Sequence, residues 1–148
     1  MRGTISITDW EWFQFLREQP GLDEVNFWRP TDLRKPHLEP GTPFLFKLRG
    51  EFGGMIVGFG IFAGHVVQPM WLAWEEFGTK NGAATFADFL RNLERIRRDK
   101  HKPTDPAGSF ELGCILLAEP CFFPREAWIP APSDWKRNVV QGASYDLS

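Results

Sequence analysis

Residues 40–69 read P-G-T-P-F-L-F-K-L-R-G-E-F-G-G-M-I-V-G-F-G-I-F-A-G-H-V-V-Q-P. This is the pattern of two strands joined by a glycine-rich turn. From Pro43 to Arg49 the residues alternate, with Phe44, Phe46 and Leu48 on one face and Leu45, Lys47 and Arg49 on the other. Glu51, Phe52, Gly53 and Gly54 supply the turn, where glycine is free to take positive φ. The return strand, Met55 to Ala63, carries Met55, Val57, Phe59 and Ile61 on a filled face. Its other face, Ile56, Gly58, Gly60 and Phe62, is empty in the middle. Glycine inside a strand marks a bend, a bulge or close approach by another backbone or a ligand. A tightly curved barrel strand is the reading preferred here over a ligand floor.

Working outward, Gly3 to Ile7 is expected to be a short first strand. Thr8 is expected to cap a helix over Asp9 to about Gln19, with Glu11 completing a capping box. Trp10, Trp12, Phe13, Phe15 and Leu16 are too widely spread around that helix for one narrow buried stripe. Val25 to Trp28 reads as a second strand, followed by a proline-interrupted loop from Thr31 to Pro40. After the hairpin come a short helix, Met70 to Phe77, and a second helix from about Thr85 to Asp99. Phe86, Phe89, Leu90, Leu93 and Ile96 give the second helix a single apolar face. Its C-terminal half is strongly basic, which suits either the helix dipole or a phosphate backbone. Leu112 to Leu117 fits a buried strand ended by Glu119-Pro120, with a new extended piece at Cys121 to Pro124. A last strand is expected at Asn138 to Gly142. The sum is an α+β domain built on a small, curved, mostly antiparallel β-barrel with flanking helices.

The 148 residues make one domain, 1–148, large enough for a real core. Seven Trp and 14 Phe stand against one Tyr, more large rings than such a core needs, so some are expected to line a pocket or contact surface. The net charge of −2 argues against indiscriminate binding to nucleic acid but leaves room for a local basic patch. Cys114 and Cys121 are too few for a disulfide framework and, each set in an apolar run, read as buried thiols. His37, His65 and His101 lack metal-ligand spacing, so no metal and no cofactor is expected. No apolar run reaches the roughly 18 residues of a membrane span, and no signal peptide is apparent, so a cytoplasmic protein is expected. There is no nucleophile elbow, phosphate loop or zinc-protease motif, so no catalytic residue is assigned.

Several blocks then resemble a known family. D-E-V-N-F-W-R-P (Asp23 to Pro30), P-G-T-P-F-L-F-K-L (Pro40 to Leu48), L-A-W-E-E-F-G-T-K-N-G-A (Leu72 to Ala83) and G-C-I-L-L-A-E-P-C-F-F-P (Gly113 to Pro124) carry the likeness. They are similar to the N-terminal domain of bacterial HNH endonucleases described as restriction enzymes. W-I-P-A-P (Trp128 to Pro132) and N-V-V-Q-G-A-S-Y-D (Asn138 to Asp146) fit the same pattern. More remotely the layout resembles PUA-like barrels, the group of EVE, YTH, ASCH and SRA domains, which bind modified or flipped-out bases in aromatic-walled pockets. No HNH motif is present, so a nuclease domain is not part of this chain.

The resemblance implies a module that recognises a modified base in double-stranded DNA, cleavage being left to another domain. Whether a homodimer forms stays open. Flipping a base costs a few kcal/mol, recovered by stacking and edge hydrogen bonds; stacking on a ring is worth roughly 1–3 kcal/mol per base. On that reading Trp10, Trp28 and Trp74 wall the pocket, Asp9 and Asn26 read the base edge, and Lys47 holds a phosphate or base oxygen. Arg29, Arg34, Lys35, Lys80 and Asn81 hold the backbone. Two alternatives remain: an RNA or modified-nucleotide-binding module without a nuclease, and an ASCH-like hydrolase of a modified nucleoside using Lys47.

Overall fold

The computed structural model describes residues 2–135 and the backbone of 142–146. Six strands form one sheet in the order β2-β5-β4-β3-β1-β6. They are β1 (Arg2–Thr8), β2 (Glu24–Arg29), β3 (Pro43–Leu48), β4 (Ile56–Pro69), β5 (Glu111–Phe122) and β6 (Gly142–Asp146). Only β1 and β3 run parallel; the other four pairings are antiparallel. Three helices flank the sheet: α1 (Trp10–Arg17), α2 (Met70–Phe77) and α3 (Phe86–Asp99). The expected mostly antiparallel α+β architecture is therefore what the chain adopts. Closure into a barrel is incomplete: β2 and β6 end the ladder and do not pair with each other among the described residues.

The alternation read in the hairpin sets the core. Phe44, Phe46 and Leu48 are buried, and Phe44 pairs across to Gly60, Phe46 to Gly58. The empty middle of β4 receives its neighbours. A methyl on Gly58 would lie 2.4 Å from the Cys121 carbonyl oxygen, and one on Gly60 would lie 2.9 Å from Leu117 Cβ. Phe46 and Phe122, which flank Gly58 from the two adjoining strands, stack at 5.5 Å. These glycines thus let β5 close on β4. They are not part of a ligand floor.

Much of the aromatic surplus is core. Trp12 of α1 sets its ring edge-on to Phe27 and Phe46 at 5.3 and 5.1 Å, and its Nε1 donates to the Asn26 carbonyl at 2.9 Å. Phe13 packs on Phe122 and Trp128. Edge and tilted contacts of this kind add to the area they bury.

Four local expectations are corrected. Thr8 stays in β1, opposite Leu48, and donates to the Ser6 carbonyl; Asp9 caps α1 instead, its carboxylate accepting from Trp12 N at 3.1 Å. A carboxylate at that place also meets the positive end of the helix dipole. β4 continues past Ala63 to Pro69 because β5 supplies partners as far as Glu111. Glu119-Pro120 does not end β5: between Ala118, opposite Ile61, and Cys121, opposite Phe59, one extra residue is absorbed as a bulge, with Glu119 at φ 53°. Cys121, expected to be buried like Cys114, is exposed, because it lies past the bulge near the end of β5. A strand is present at Gly142–Asp146, and residues 138–141 of the expected last strand lie outside the described residues.

Helix α3 ends in a left-handed turn without glycine. His101 takes φ 56°, His101 N donates to the Arg98 carbonyl and Lys102 N to the Arg97 carbonyl. A side chain in that region costs about 1–2 kcal/mol. His101→Gly is therefore expected to raise stability by about 1 kcal/mol, a gain of a few degrees in thermal midpoint that calorimetry would register.

Candidate functional site

A cleft of about 920 Å³ is lined by residues of β1 and β2 and of the loop that follows β2. The residues 4, 6 and 8 of T-I-S-I-T line it with Thr4, Ser6 and Thr8, a row of hydroxyls at strand spacing. Phe27, Phe44 and Ile115 give it an apolar floor, and Trp28 borders it from β2. One end holds Asp9, Lys47, Arg49 and Trp135; the far wall is the loop from Arg29 to Leu38, with Ile96 of α3 and Lys100, the residue just past its end, behind it.

Lys47 is only 6% exposed. Its Nζ donates to the Leu48 carbonyl at 3.2 Å and lies 5.0 Å from the centre of the Trp135 ring. Among the described residues no carboxylate pairs with it, and burial holds its ammonium below the usual lysine range. The two carboxylates on the cleft are already engaged. Asp9 caps α1 and accepts from Asn92 Nδ2 at 2.8 Å and Arg95 Nη2 at 3.0 Å. Asp32 accepts from Arg34 through Nε and Nη2, both at 3.0 Å, and from Arg29 Nη1 at 3.3 Å. The cleft of an acidic protein is thus left with unbalanced positive charge.

The far wall is held from below. Arg97 of α3 is buried, donates to the carbonyls of Pro30 and Pro103, and lays its guanidinium 4.4 Å from the Phe110 ring centre. Arg29 donates to Asp32 and to the Arg34 carbonyl, which ties the strand end to the loop. Hydrogen bonds from the Arg34 side chain, with help from its backbone N–H and from Arg29, hold the Asp32 carboxyl far below the usual range despite its burial. A carboxylate with a depressed pKa stabilises the fold above its unfolded value, 3.8 here, and loses that contribution as pH falls toward the folded value. Asp32→Asn is expected to cost about 2 kcal/mol at neutral pH. In denaturant titrations its gap from the parent should narrow steadily below pH 3.8.

The structure gathers Asp9, Trp28, Arg29 and Lys47 on the cleft. It puts the other expected site residues elsewhere. Trp10 stacks on Phe52 at 4.6 Å, beside the cleft rather than in its lining. Trp74 packs between α2 and α3, on Phe86 and Phe89. Asn26 is sealed under the sheet and donates to Asn81 Oδ1 at 2.9 Å. Asn81 in turn donates to the carbonyls of Ala73 and Gly78 and accepts from Trp28 Nε1 at 2.7 Å. These two asparagines fasten the segment after α2 to β2. Lys80 pairs with Asp23 at 2.9 Å and Glu24 at 3.3 Å, away from the cleft. Arg34 and Lys35 are exposed on the wall loop but do not line the cleft. Lys100 belongs to the basic end of α3 that the sequence offered to a phosphate backbone, whereas the hydroxyl row of β1, Arg49 and Trp135 were not anticipated. Of these three, only the hydroxyl row leaves a trace in sequence, the polar alternation of T-I-S-I-T.

Among the described residues no three His, Cys, Asp or Glu side chains gather where a metal ion could sit, and no helix is long and apolar enough to cross a membrane.

No family model matches the chain, and no curated protein matches it in sequence. Solved structures that match its shape include the following two. One is ASCH from Zymomonas mobilis, with a TM-score of 0.60 over 98% of this chain and 88% of that one, at 10% identity. The other is a point mutant of the same protein, with a TM-score of 0.62 over 98% and 91% at 8% identity. The fold is ASCH-like. An ASCH-like fold is a PUA-like one, so the architecture expected from the remoter resemblance is the one present.

Proposed function

We propose that this chain is a nucleic-acid-binding module that takes one modified base out of a DNA duplex into the β1–β2 cleft. On this reading it supplies target recognition to an HNH-type nuclease domain that is not part of the chain. The observation that carries the reading is Lys47: a buried ammonium without a carboxylate partner among the described residues, facing a cleft whose own acids are neutralised. Such a group favours an oxygen acceptor or an anion that arrives with the guest. Hydroxyls both donate and accept, as reading a base edge requires, and Ser6 offers one on the cleft; that of Thr8 already donates to the Ser6 carbonyl. Trp28 and Trp135 border the space with flat rings, and Arg29, Arg49 and Lys100, with Lys35 nearby, suit the flanking phosphates. Asp9 is held by α3 and is more use as a fixed acceptor at the rim than as a free charge.

The test is fluorescence anisotropy with methylated, hydroxymethylated and plain duplexes and with single-stranded RNA, at low and physiological salt. One modified duplex should bind at least about tenfold tighter than the plain one, a difference of roughly 1.4 kcal/mol. Absence of binding to every probe at low salt would overturn the reading. Preference for RNA would select the RNA-binding alternative. Turnover of an acylated nucleoside, lost in Lys47→Ala, would select the hydrolase, for which a depressed lysine is a fitting nucleophile.

A further inference from the structure

Trp10 and Phe52 form an exposed aromatic pair whose place in the fold core packing does not fully explain. Their rings lie 4.6 Å apart and within 3° of parallel. Phe52 is 36% exposed and Trp10 is half-buried, its inner side tilted against Phe13. The two come from different elements, the first turn of α1 and the β3–β4 turn. That turn is rigid: Phe52 N and Gly54 N both donate to the Arg49 carbonyl, and Gly53 and Gly54 take φ of 104° and 69°.

The location is informative. Asp9, immediately before Trp10, and Gly50, two residues before Phe52, both line the cleft at its Lys47 end. The pair thus stands just outside the opening, next to Lys47 and the exposed Arg49. Glu11 and Glu51 are exposed in the same two turns. Acids so close disfavour a phosphate or an anionic membrane seated directly on the rings. They do not disfavour a flat, uncharged guest whose phosphates run on toward Arg49.

We propose that Trp10 and Phe52 are a stacking platform for the base adjoining the one held in the cleft, so that the ligand is a polynucleotide strand and not a free nucleotide. This rests on the base-reading function proposed above. A mononucleotide is confined to the cleft and never reaches the pair. A strand entering the same cleft must pass it, and a neighbouring base can leave its own stack for these rings at little cost.

The experiment compares two probes in the full chain: the modified duplex that the parent binds best among the methylated and hydroxymethylated ones, and the mononucleotide of its modified base. Phe52→Ala is expected to weaken the duplex by about fivefold to 150-fold, the span of one lost stacking contact. It should leave the mononucleotide unaffected. Trp10→Phe, which keeps a flat ring and the Phe13 contact, should retain most of the duplex affinity, whereas Trp10→Ala should not. Equal losses on both probes, or no loss on the duplex, would overturn the platform while leaving the cleft reading intact. A concentration-dependent dimer abolished by Phe52→Ala would overturn it in favour of a second copy on the pair. Failure of the parent protein to bind either probe removes the cleft reading, and the platform with it.

Discussion

Lys47→Met is expected to cut affinity for the preferred duplex by about 10- to 150-fold, the worth of a charge-assisted hydrogen bond of roughly 1.5–3 kcal/mol. Methionine keeps the length and the apolar stem, so the loss reads the ammonium rather than the packing. Folding stability should move the other way or not at all. A buried ammonium without a carboxylate partner among the described residues is a cost, which the substitution relieves. The pH dependence follows from the direction of the shift. The unfolded lysine, at 10.5, keeps a proton that the folded one has already given up over the interval below that value. Stability of the parent therefore rises with pH through that interval, and the rise is missing from Lys47→Met. Duplex affinity falls over the same interval, because the ammonium is what binds. Denaturant titrations and anisotropy in parallel pH series would reveal both slopes. Identical duplex affinity in the parent and in Lys47→Met would remove this lysine from the binding site.

Gly58→Ala should be strongly damaging for a single added methyl. The added carbon would meet the Cys121 carbonyl oxygen at 2.4 Å and Phe122 Cα at 3.1 Å, both backbone, which no rotamer change relieves. Either β4 separates from β5 or the Phe46–Phe122 stack opens. The expected loss is about 3 kcal/mol, or roughly 6–12 °C in thermal midpoint. Gly64→Ala, in the same strand, is the control. Its nearest neighbour would be Leu116 Cδ1 at 3.9 Å, an ordinary contact, and the change should be close to neutral. Matching unfolding curves for the two variants would refute the close-packing role of Gly58.

The hairpin was legible because its information is local: alternating phenylalanines and turn glycines act within a few residues. Helix α3 was legible for the same reason. The Asp9 cap was missed because Thr8 and Asp9 are both good caps, and the choice is made by Leu48 opposite Thr8 and by Arg95 on α3. The continuity of β5 was missed because a bulge can absorb a proline that would otherwise end a strand. In the cleft, Lys47 was visible as a lysine set among apolar neighbours, and Trp28-Arg29 as a strand end next to a loop. Asn26 and Asn81 read as recognition groups, since their chemistry is the same whether it meets a base or another asparagine. Their mutual bond crosses 55 residues and leaves no sequence pattern. Trp135 reaches the site only through the fold.

Arg97 has a wider consequence. One side chain, with no access to any guest, grips two irregular segments at once and sets how far the outer wall leans over the opening. Natural variation at this position, or at Phe110 beneath it, would retune which guests are admitted without altering a single contacting residue. On the proposed reading, selectivity would thus be partly an architectural property, inherited from a clasp at the back of the domain.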